Sequence, residues 1–172
     1  MQALKDVEGS GLLTPEELLN LGFTAVGDAP VVSRRASFHA VGGILGKNVR
    51  IDDFAVITGS VHLGDEVHVG PHCFISGTGG CVKLGKGSGI SSFSVIYTKS
   101  RDFAEPATSS AVHVGAVSLG ERVMIGAHCT IMPGTVIGDN AQVGAHCLVS
   151  GDLPAGSRNV SRASSMIRLG TR

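Results

Sequence analysis

The chain has 172 residues, 42% of them apolar, and its 14 basic and 14 acidic side chains give a formal net charge of zero. A balanced charge provides no general field for nucleic acid or for an anionic membrane surface, so neither is an expected partner. No apolar run approaches the roughly 18 residues of a membrane span, and the start lacks a signal-peptide pattern, so we expect a cytoplasmic protein.

The first predicted element is a short helix that begins after Thr14. Thr14 suits the N-cap and Pro15 the first helical position, and Glu17, three residues after the cap, completes a capping box. Gly22 is expected to end the helix. Its apolar side is predicted to consist of Leu18, Leu19 and Leu21. With an extended lead-in, this helix forms the predicted N-terminal unit, residues 1–38.

A six-residue repeat organises the next unit, residues 39–153. The first residue of each hexad is aliphatic, in runs from Leu45 to Ile75, from Leu84 to Ile96 and from Leu119 to Val149. A period of six fits neither an amphipathic helix nor a two-residue strand alternation. It fits a chain that turns a corner after each short strand, with three hexads to a triangular coil. The repeat therefore predicts an all-β parallel helix of about five coils.

Two segments depart from the repeat. A 23-residue gap separates the hexads that begin at Ile96 and Leu119, so residues 97–118 are predicted to form a protruding loop, long enough to be functional. Residues 154–172 form a basic tail that contains Arg but no acidic residue. Both segments are candidate ligand-binding elements.

The position of each Cys and His in its hexad predicts whether its side chain faces the core or the surface. Three of the four Cys occupy the fifth, inward place and are interpreted as small core residues, and their lack of paired spacing favours a reducing compartment. Three of the seven His occupy the fourth place, at an outward corner, where we expect them to share one edge. These residues are Cys73, Cys129 and Cys147, and His72, His128 and His146. Met124 and Met132 occupy outward places.

The hexads and several longer pieces resemble the left-handed β-helix (hexapeptide-repeat) acyltransferases, and in particular the branch that N-acylates nucleotide-linked amino sugars. The pieces are, in order, ELLNLGFTAVG, VSRRASFH, NVRIDDFAVITG, VHVGPHC, GISSFSVIYTKSRDF and LGERVMIGAHCTIMPGTVIG. The resemblance implies a left-handed coil, a homotrimer, and acetyl-CoA or another acyl-CoA as co-substrate between neighbouring prisms, with no metal. It also implies a nucleotide-sugar acceptor and a role in bacterial surface polysaccharide synthesis.

Three residues are candidates for catalysis: His68 and Asp102 from the resemblance, and His113 as a candidate base from its place in the loop. His68, in VHVGPHC, matches a histidine of the family and is the first choice as base or as the group that positions the substrate. Asp102 matches an acidic residue that suits recognition of an ammonium group. His113 lies near the return of the loop. In the branch that acetylates sugar hydroxyls, this loop carries a histidine before a proline, and residues 97–103 contain no histidine. That difference argues against the hydroxyl-acetylating branch.

Candidate binding residues flank this centre. Ser91 and Ser92 are placed to hydrogen-bond the substrate, although turn serines have an equally good structural explanation, and Glu105 is a second acidic candidate. On the CoA side the expected groups are the backbone amides at Gly126, Ala127, Gly144 and Ala145, and the phosphate-binding side chains of Arg162 and Arg168. Family members often end in a Gly-Asn-Pro-Ala segment, which this tail lacks.

Three alternatives stay open. A sugar O-acetyltransferase would share the fold and the CoA groove. A γ-type carbonic anhydrase would also share the coil, but it needs two His five positions apart on one chain, whereas the close pairs here are His62 with His68 and His68 with His72. A non-catalytic trimeric β-helix is the third alternative, favoured by the altered loop and tail.

Overall fold

The computed structural model describes residues 11–101 and 110–161. One helix, α1 (Pro15–Leu21), precedes a coil of short strands. The strands are β1 (Ala25–Val26), β2 (Val31–Val32), β3 (Ser37–Leu45), β4 (Arg50–Ile51), β5 (Val56–Leu63), β6 (His68–Val69), β7 (Phe74–Leu84), β8 (Gly89–Ile90), β9 (Val95–Tyr97), β10 (Lys99–Arg101), β11 (Val112–Val114), β12 (Val117–Leu119), β13 (Met124–Ile125), β14 (Thr130–Ile131), β15 (Val136–Ile137), β16 (Gln142–Val143), β17 (Leu148–Val149) and β18 (Arg158–Asn159). The predicted all-β parallel coil with a short N-terminal helix is confirmed.

Helix α1 has the predicted capping box. The Thr14 hydroxyl accepts a bond from the Glu17 amide at 3.2 Å, and the Glu17 carboxylate accepts one from the Thr14 amide at 2.8 Å. Arg34 donates two bonds to the same carboxylate and, as the main cause, lowers the pKa of Glu17 to about 2. Only Leu18 of the three predicted apolar residues is buried, because Leu19 and Leu21 point away from the coil and are 46% and 40% exposed. In the described residues, no helix has the length and apolar character needed to cross a membrane.

The coil has three flat faces. Seven parallel strands, in the order β18-β16-β13-β8-β6-β4-β2, stack to form one face, here called the front face, and a nine-stranded sheet covers the other two. Seven levels exceed the five coils predicted from the hexads. The difference arises at the ends, where β2 and β18 lie outside the hexad repeat but still pair in parallel with β4 and β16. Backbone hydrogen bonding between coils does not require the hexad pattern, so the stack extends beyond it.

The core is a column of thin aliphatic side chains, as expected from the inward places. Ile51, Ile57, Ile75 and Ile131 are fully buried, and the nearby cysteines are also buried. Burial raises the pKa of the Cys73 and Cys129 thiols, which disfavours the reactive thiolate. Cys73, Cys129 and Cys147 are therefore core residues, as predicted.

Polar side chains also enter the core at some inward places, among them Ser88 and Ser94. Ser88 and Ser94 each donate to a carbonyl of the next coil, at Gly120 and Gly126, and each accepts an amide bond from that coil. Both are 1% exposed and fully hydrogen-bonded. Because their hydroxyls join successive coils, they replace apolar packing at these levels without leaving a buried polar atom unpaired.

The described residues of the predicted loop include an antiparallel hairpin. Strands β10 and β11 pair antiparallel, with Ser100 opposite His113. The coil then resumes in register, since Val117 and Leu119 of β12 pair with Val82 and Leu84 of β7. The insertion therefore leaves the stacking of the later coils intact and projects from one corner of the prism.

Candidate functional site

One corner of the prism carries a column of stacked aromatic rings, here called the ring corner. It lies where the chain leaves the front face, and its residues are Phe54, His72, Phe93, His128 and His146. Successive ring centroids are 4.9, 4.8, 5.0 and 4.9 Å apart, and the last three pairs are within 4° of parallel. The prediction that the three fourth-place histidines share one edge is confirmed, with two Phe rings joining the same column.

The backbone of this corner explains the alignment. Every ring residue has a positive φ, between 57° and 62°, which is uncommon for side chains of this size. The amide of each donates to a carbonyl of the preceding coil, as His146 does to Ala127 at 2.9 Å. Repeating this bond at each level places the side chains above one another. Ring contacts between neighbours offset part of the conformational strain.

A groove on the front face runs beside this corner. Its first part, here called the acceptor groove, is lined by His68, Ser91, Ser92 and Met124, together with Pro71. His68 leads into the corner turn from β6, and the two serines follow β8 one coil later. Three of the residues predicted for chemistry or substrate binding are therefore brought together.

His68 is held by a carboxylate that the sequence analysis did not single out. Its Nε2 lies 2.8 Å from Oδ2 of Asp52, and the Nε of Arg50 donates to Oδ1 of the same carboxylate at 2.6 Å. Burial by itself would raise the pKa of Asp52, but the hydrogen bonds from His68 and Arg50 outweigh it and lower the pKa below its usual value. An ionised carboxylate only accepts, so Nε2 carries a proton and Nδ1 is the basic nitrogen of the neutral ring.

The second part of the groove, here called the cofactor groove, continues toward the C-terminal end. It is lined by Gly126, Gln142, Gly144 and Arg158 and shares Met124 with the first part, as well as Ser91. The two parts are therefore contiguous. Arg158 contributes a cation to the cofactor groove and makes no ion pair with any residue that the structure describes.

The backbone donors predicted for CoA divide into two pairs. The amides of Gly126 and Gly144 donate to the carbonyls of Val143 and Asn159, each at 2.7 Å, so the ladder between coils already uses them. The amides of Ala127 and Ala145 make no hydrogen bond within residues 11–101 and 110–161. The expectation of four donors is thus corrected to two, because glycines in the second place of a hexad face the next coil and residues in the third place do not.

The other predicted residues lie elsewhere. His113 is on the β10–β11 hairpin, which follows β9, whereas Ser92 precedes β9, so the two lie at opposite ends of that strand. The structure does not bring His113 to the groove within one chain. Asp102, Glu105, Arg162 and Arg168 lie outside the described residues.

Among the residues that the structure describes, no three His, Cys, Asp or Glu side chains form a group that could hold a metal ion. The stacked His128 and His146 rings lie parallel, one above the other, with centroids 4.9 Å apart.

Comparison with known proteins identifies relatives with this architecture. The sequence matches the family "Bacterial transferase hexapeptide (six repeats)" over residues 42–77 and 116–151. The structure is similar to that of AntD, an N-acyltransferase from Bacillus cereus solved with dTDP and 3-hydroxybutyryl-CoA, with 31% identity and a TM-score of 0.78 over 88% of this chain and 85% of AntD. No curated protein matches the sequence significantly.

Two further structures extend the comparison. An AntD variant with one serine changed to alanine, solved with dTDP-4-amino-4,6-dideoxyglucose and coenzyme A, has 30% identity and a TM-score of 0.78 over 88% of this chain and 86% of AntD. The acetyltransferase domain of PglB from Neisseria gonorrhoeae has 17% identity and a TM-score of 0.55 over 77% of this chain and 55% of that one, and shows a likeness of fold alone. The hexads, the parallel coil and the identity to AntD together show that the chain belongs to the hexapeptide-repeat family of bacterial transferases.

Proposed function

We propose that the protein is an acyl-CoA-dependent N-acyltransferase that acylates the amino group of a nucleotide-linked amino sugar. The observation that carries this proposal is the 31% identity to AntD over most of both chains, since AntD has been solved with dTDP and an acyl-CoA. The groove supports it, because side chains suited to proton handling adjoin a surface with free backbone donors. Synthesis of bacterial surface polysaccharide is the proposed cellular role.

Sequence spacing points to the reacting groups. AntD variants were made at one serine and at one aspartate ten positions later. In this chain Ser92 and Asp102 are ten positions apart, and no other Ser precedes an Asp by that distance. The correspondence supports Ser92 and Asp102 as functional residues. It gives Asp102 the stronger claim to act on the amine, whereas the sequence analysis put His68 first and expected Asp102 to recognise an ammonium group.

The proposed reaction needs few groups. The neutral amine of the sugar attacks the thioester carbonyl, a tetrahedral oxyanion forms, and the C–S bond breaks to release the CoA thiol and the amide product. Asp102 accepts a proton from the amine and returns it to the departing CoA thiolate, and the Ser92 hydroxyl donates a hydrogen bond to the acyl oxygen. His68, held by Asp52, positions the acceptor through Nδ1. No covalent enzyme intermediate is required.

The cofactor groove suits an extended pantetheine chain. The free amides of Ala127 and Ala145 lie on successive coils and can donate to the amide oxygens of pantetheine. Arg158 provides a cation for a phosphate group at the same end, and Arg162 and Arg168 remain proposed partners of the CoA phosphates. With these contacts the thioester lies at the junction of the two groove parts, beside Ser91.

We also infer that the protein is a homotrimer. The groove is an open surface of one prism, and the hairpin that carries His113 projects from a different corner, past the far end of β9. A neighbouring prism would close the groove and bring its own loop, with Asp102, Glu105 and His113, to the acceptor groove. Sedimentation equilibrium of the purified protein tests this inference, and a monomer at micromolar concentration would overturn it.

Release of the CoA thiol provides the test of function. Incubation of the protein with acetyl-CoA or 3-hydroxybutyryl-CoA and dTDP-4-amino-4,6-dideoxyglucose should release thiol and form the amide. Ser92→Ala and Asp102→Asn should lower kcat by about 10²-fold or more, because each removes a group that acts in the transition state. Ser118→Ala and Asp152→Asn, on surfaces away from the groove, are the matched controls.

The outcomes separate the competing functions. Thiol release with a sugar that offers hydroxyls but no amine would favour the O-acetyltransferase. Absence of both turnover and CoA binding would favour a non-catalytic prism, whereas CO2 hydration by protein that contains stoichiometric zinc would favour the carbonic anhydrase. Any of these three results would overturn the proposal.

A further inference from the structure

Met124 lies where the two parts of the groove meet. It lines both the acceptor groove and the cofactor groove, and its side chain is 48% exposed. Ser91 is the other residue that they share. Its hydroxyl is short, so Met124 is the larger of the two groups that bound the junction. A ligand that crosses from one part to the other must pass this thioether.

The residue beneath Met124 is a glycine. Met124 of β13 pairs with Gly89 of β8, and Gly89 pairs in turn with His68 of β6. A Cβ added at Gly89 would lie 3.1 Å from Cε and 3.4 Å from Sδ of Met124. The methionine therefore lies across the glycine and covers part of the recess between itself and His68, which the acceptor groove leaves open. On the front face, one outward-facing residue of each strand pairs with the next along a column. Gly89 is the member of this column that has no side chain; the others are Val31, Arg50, His68, Met124, Gln142 and Arg158.

We propose that Met124, lying over Gly89, is the boundary of the acyl site and sets the length of acyl chain that the protein transfers. This inference rests on the proposed function, which places the thioester at the groove junction. From there the recess over Gly89 is the adjoining space that an acyl chain can enter. Methionine is flexible and apolar, so it can contact a short acyl chain and limit a longer one.

The test is a panel of acyl-CoA donors. The kcat/KM of acetyl-CoA, butyryl-CoA and hexanoyl-CoA is measured with dTDP-4-amino-4,6-dideoxyglucose as acceptor. Met124→Ala should raise the hexanoyl-to-acetyl ratio by about tenfold, because an apolar pocket discriminates by about that factor or more for each methylene. Adding Gly89→Ala to Met124→Ala refills part of the recess and should lower the ratio again. Met132→Ala, which removes a methionine outside both parts of the groove, should leave it unchanged.

Failures of the two proposals are distinguishable. If the wild type transfers acetyl groups and Met124→Ala leaves the ratio within about twofold, or if Met132→Ala changes it equally, this inference alone is overturned. If the wild type neither binds CoA nor releases thiol from any donor, the proposed function fails and this inference with it. Calorimetric binding of free CoA to the wild type, which needs no acyl chain, separates these two outcomes.

Discussion

Two corners of the prism share a backbone and differ in almost every side chain. The ring corner is the turn at which the chain leaves the front face. The turn at which the chain enters that face is here called the polar corner. Its fourth-place residues are Asn48, Glu66, Gly87, Arg122 and Asn140. These residues also have positive φ, between 53° and 68°, and their amides donate to the preceding coil in the same way. The difference in function must therefore come from the side chains rather than from the path of the chain.

The third place of the hexad makes the difference. At the polar corner it holds Asp65 and Asp139, whose Oδ1 atoms accept from the amides of Lys47 and Glu121 on the preceding coil, at 2.9 and 2.8 Å. At the ring corner the same place holds Ala127 and Ala145, which cap nothing. Two of these amides at the polar corner are thus capped by carboxylates, whereas the amides of Ala127 and Ala145 at the ring corner have no partner among the described residues.

The fourth-place side chains of the two corners also differ in how much they stabilise the fold. Arg122 at the polar corner donates to Asn140 at 2.8 Å and pairs with Glu121 at 2.9 Å, but these side chains are more than half exposed and such pairs contribute little. The ring corner replaces them with close ring contacts, which gain from dispersion and from the burial of apolar surface. We expect stability to depend on the ring corner more than on the polar corner.

The largest expected effect is on the ring column. Phe93→Ala removes two contacts, with His72 and His128, and should lower the free energy of unfolding by about 2 kcal/mol. His146→Ala removes one contact at the end of the column and should cost about half as much. Urea unfolding measures both, with Arg122→Ala as the polar-corner control, at about 0.5 kcal/mol or less. Equal costs for Phe93→Ala and Arg122→Ala would show that the corners do not differ in energy.

The next largest effect is expected from substitutions at the third hexad place of the two corners. Ala145→Asp should cap the Ala127 amide, as Asp139 caps Glu121, and place a negative charge beside the CoA site. The expected result is about tenfold weaker CoA binding by calorimetry with no loss of stability. Ala145→Asn caps the same amide without charge and separates the two contributions. Asp139→Ala should instead cost about 1 kcal/mol of stability and leave CoA binding unchanged. Wild-type affinity in Ala145→Asp would refute the idea that free amides hold CoA.

The smallest expected effect concerns pH. The pKa of Asp52 is below its usual value, so the folded state gains stability from this ionised group at pH above about 3.8 and loses that gain as the pH falls through the lowered pKa. Asp52→Asn should be less stable than the wild type at pH 6, and the difference should shrink toward pH 2. Urea unfolding across this range measures it. Asp152→Asn is the control, since Asp152 bonds to none of the described residues, and an identical pH profile for both variants would count against the hydrogen bonds to His68 and Arg50.

The candidate site was partly predictable. Position in the hexad predicts that His68 faces outward and that Ser91 and Ser92 follow one coil later, because a fixed period places residues on fixed faces. Asp52 could have been found from the same rule, since its place on the front face lies two coils before the serines and one coil before the turn that follows His68. Arg158 was harder to assign, because β18 lies beyond the hexads.

The repeat by itself determines the coil, the inward position of the cysteines and the shared edge of His72, His128 and His146. All of these follow from a local period combined with burial of apolar side chains. Only the tertiary structure decides which amides stay free at Ala127 and Ala145, because that depends on what the next coil places above them. It also decides that Met124 lies across Gly89 and that the His113 hairpin projects from another corner. Such contacts depend on how coils stack after a register slip and an insertion, and a one-dimensional period carries no information about either.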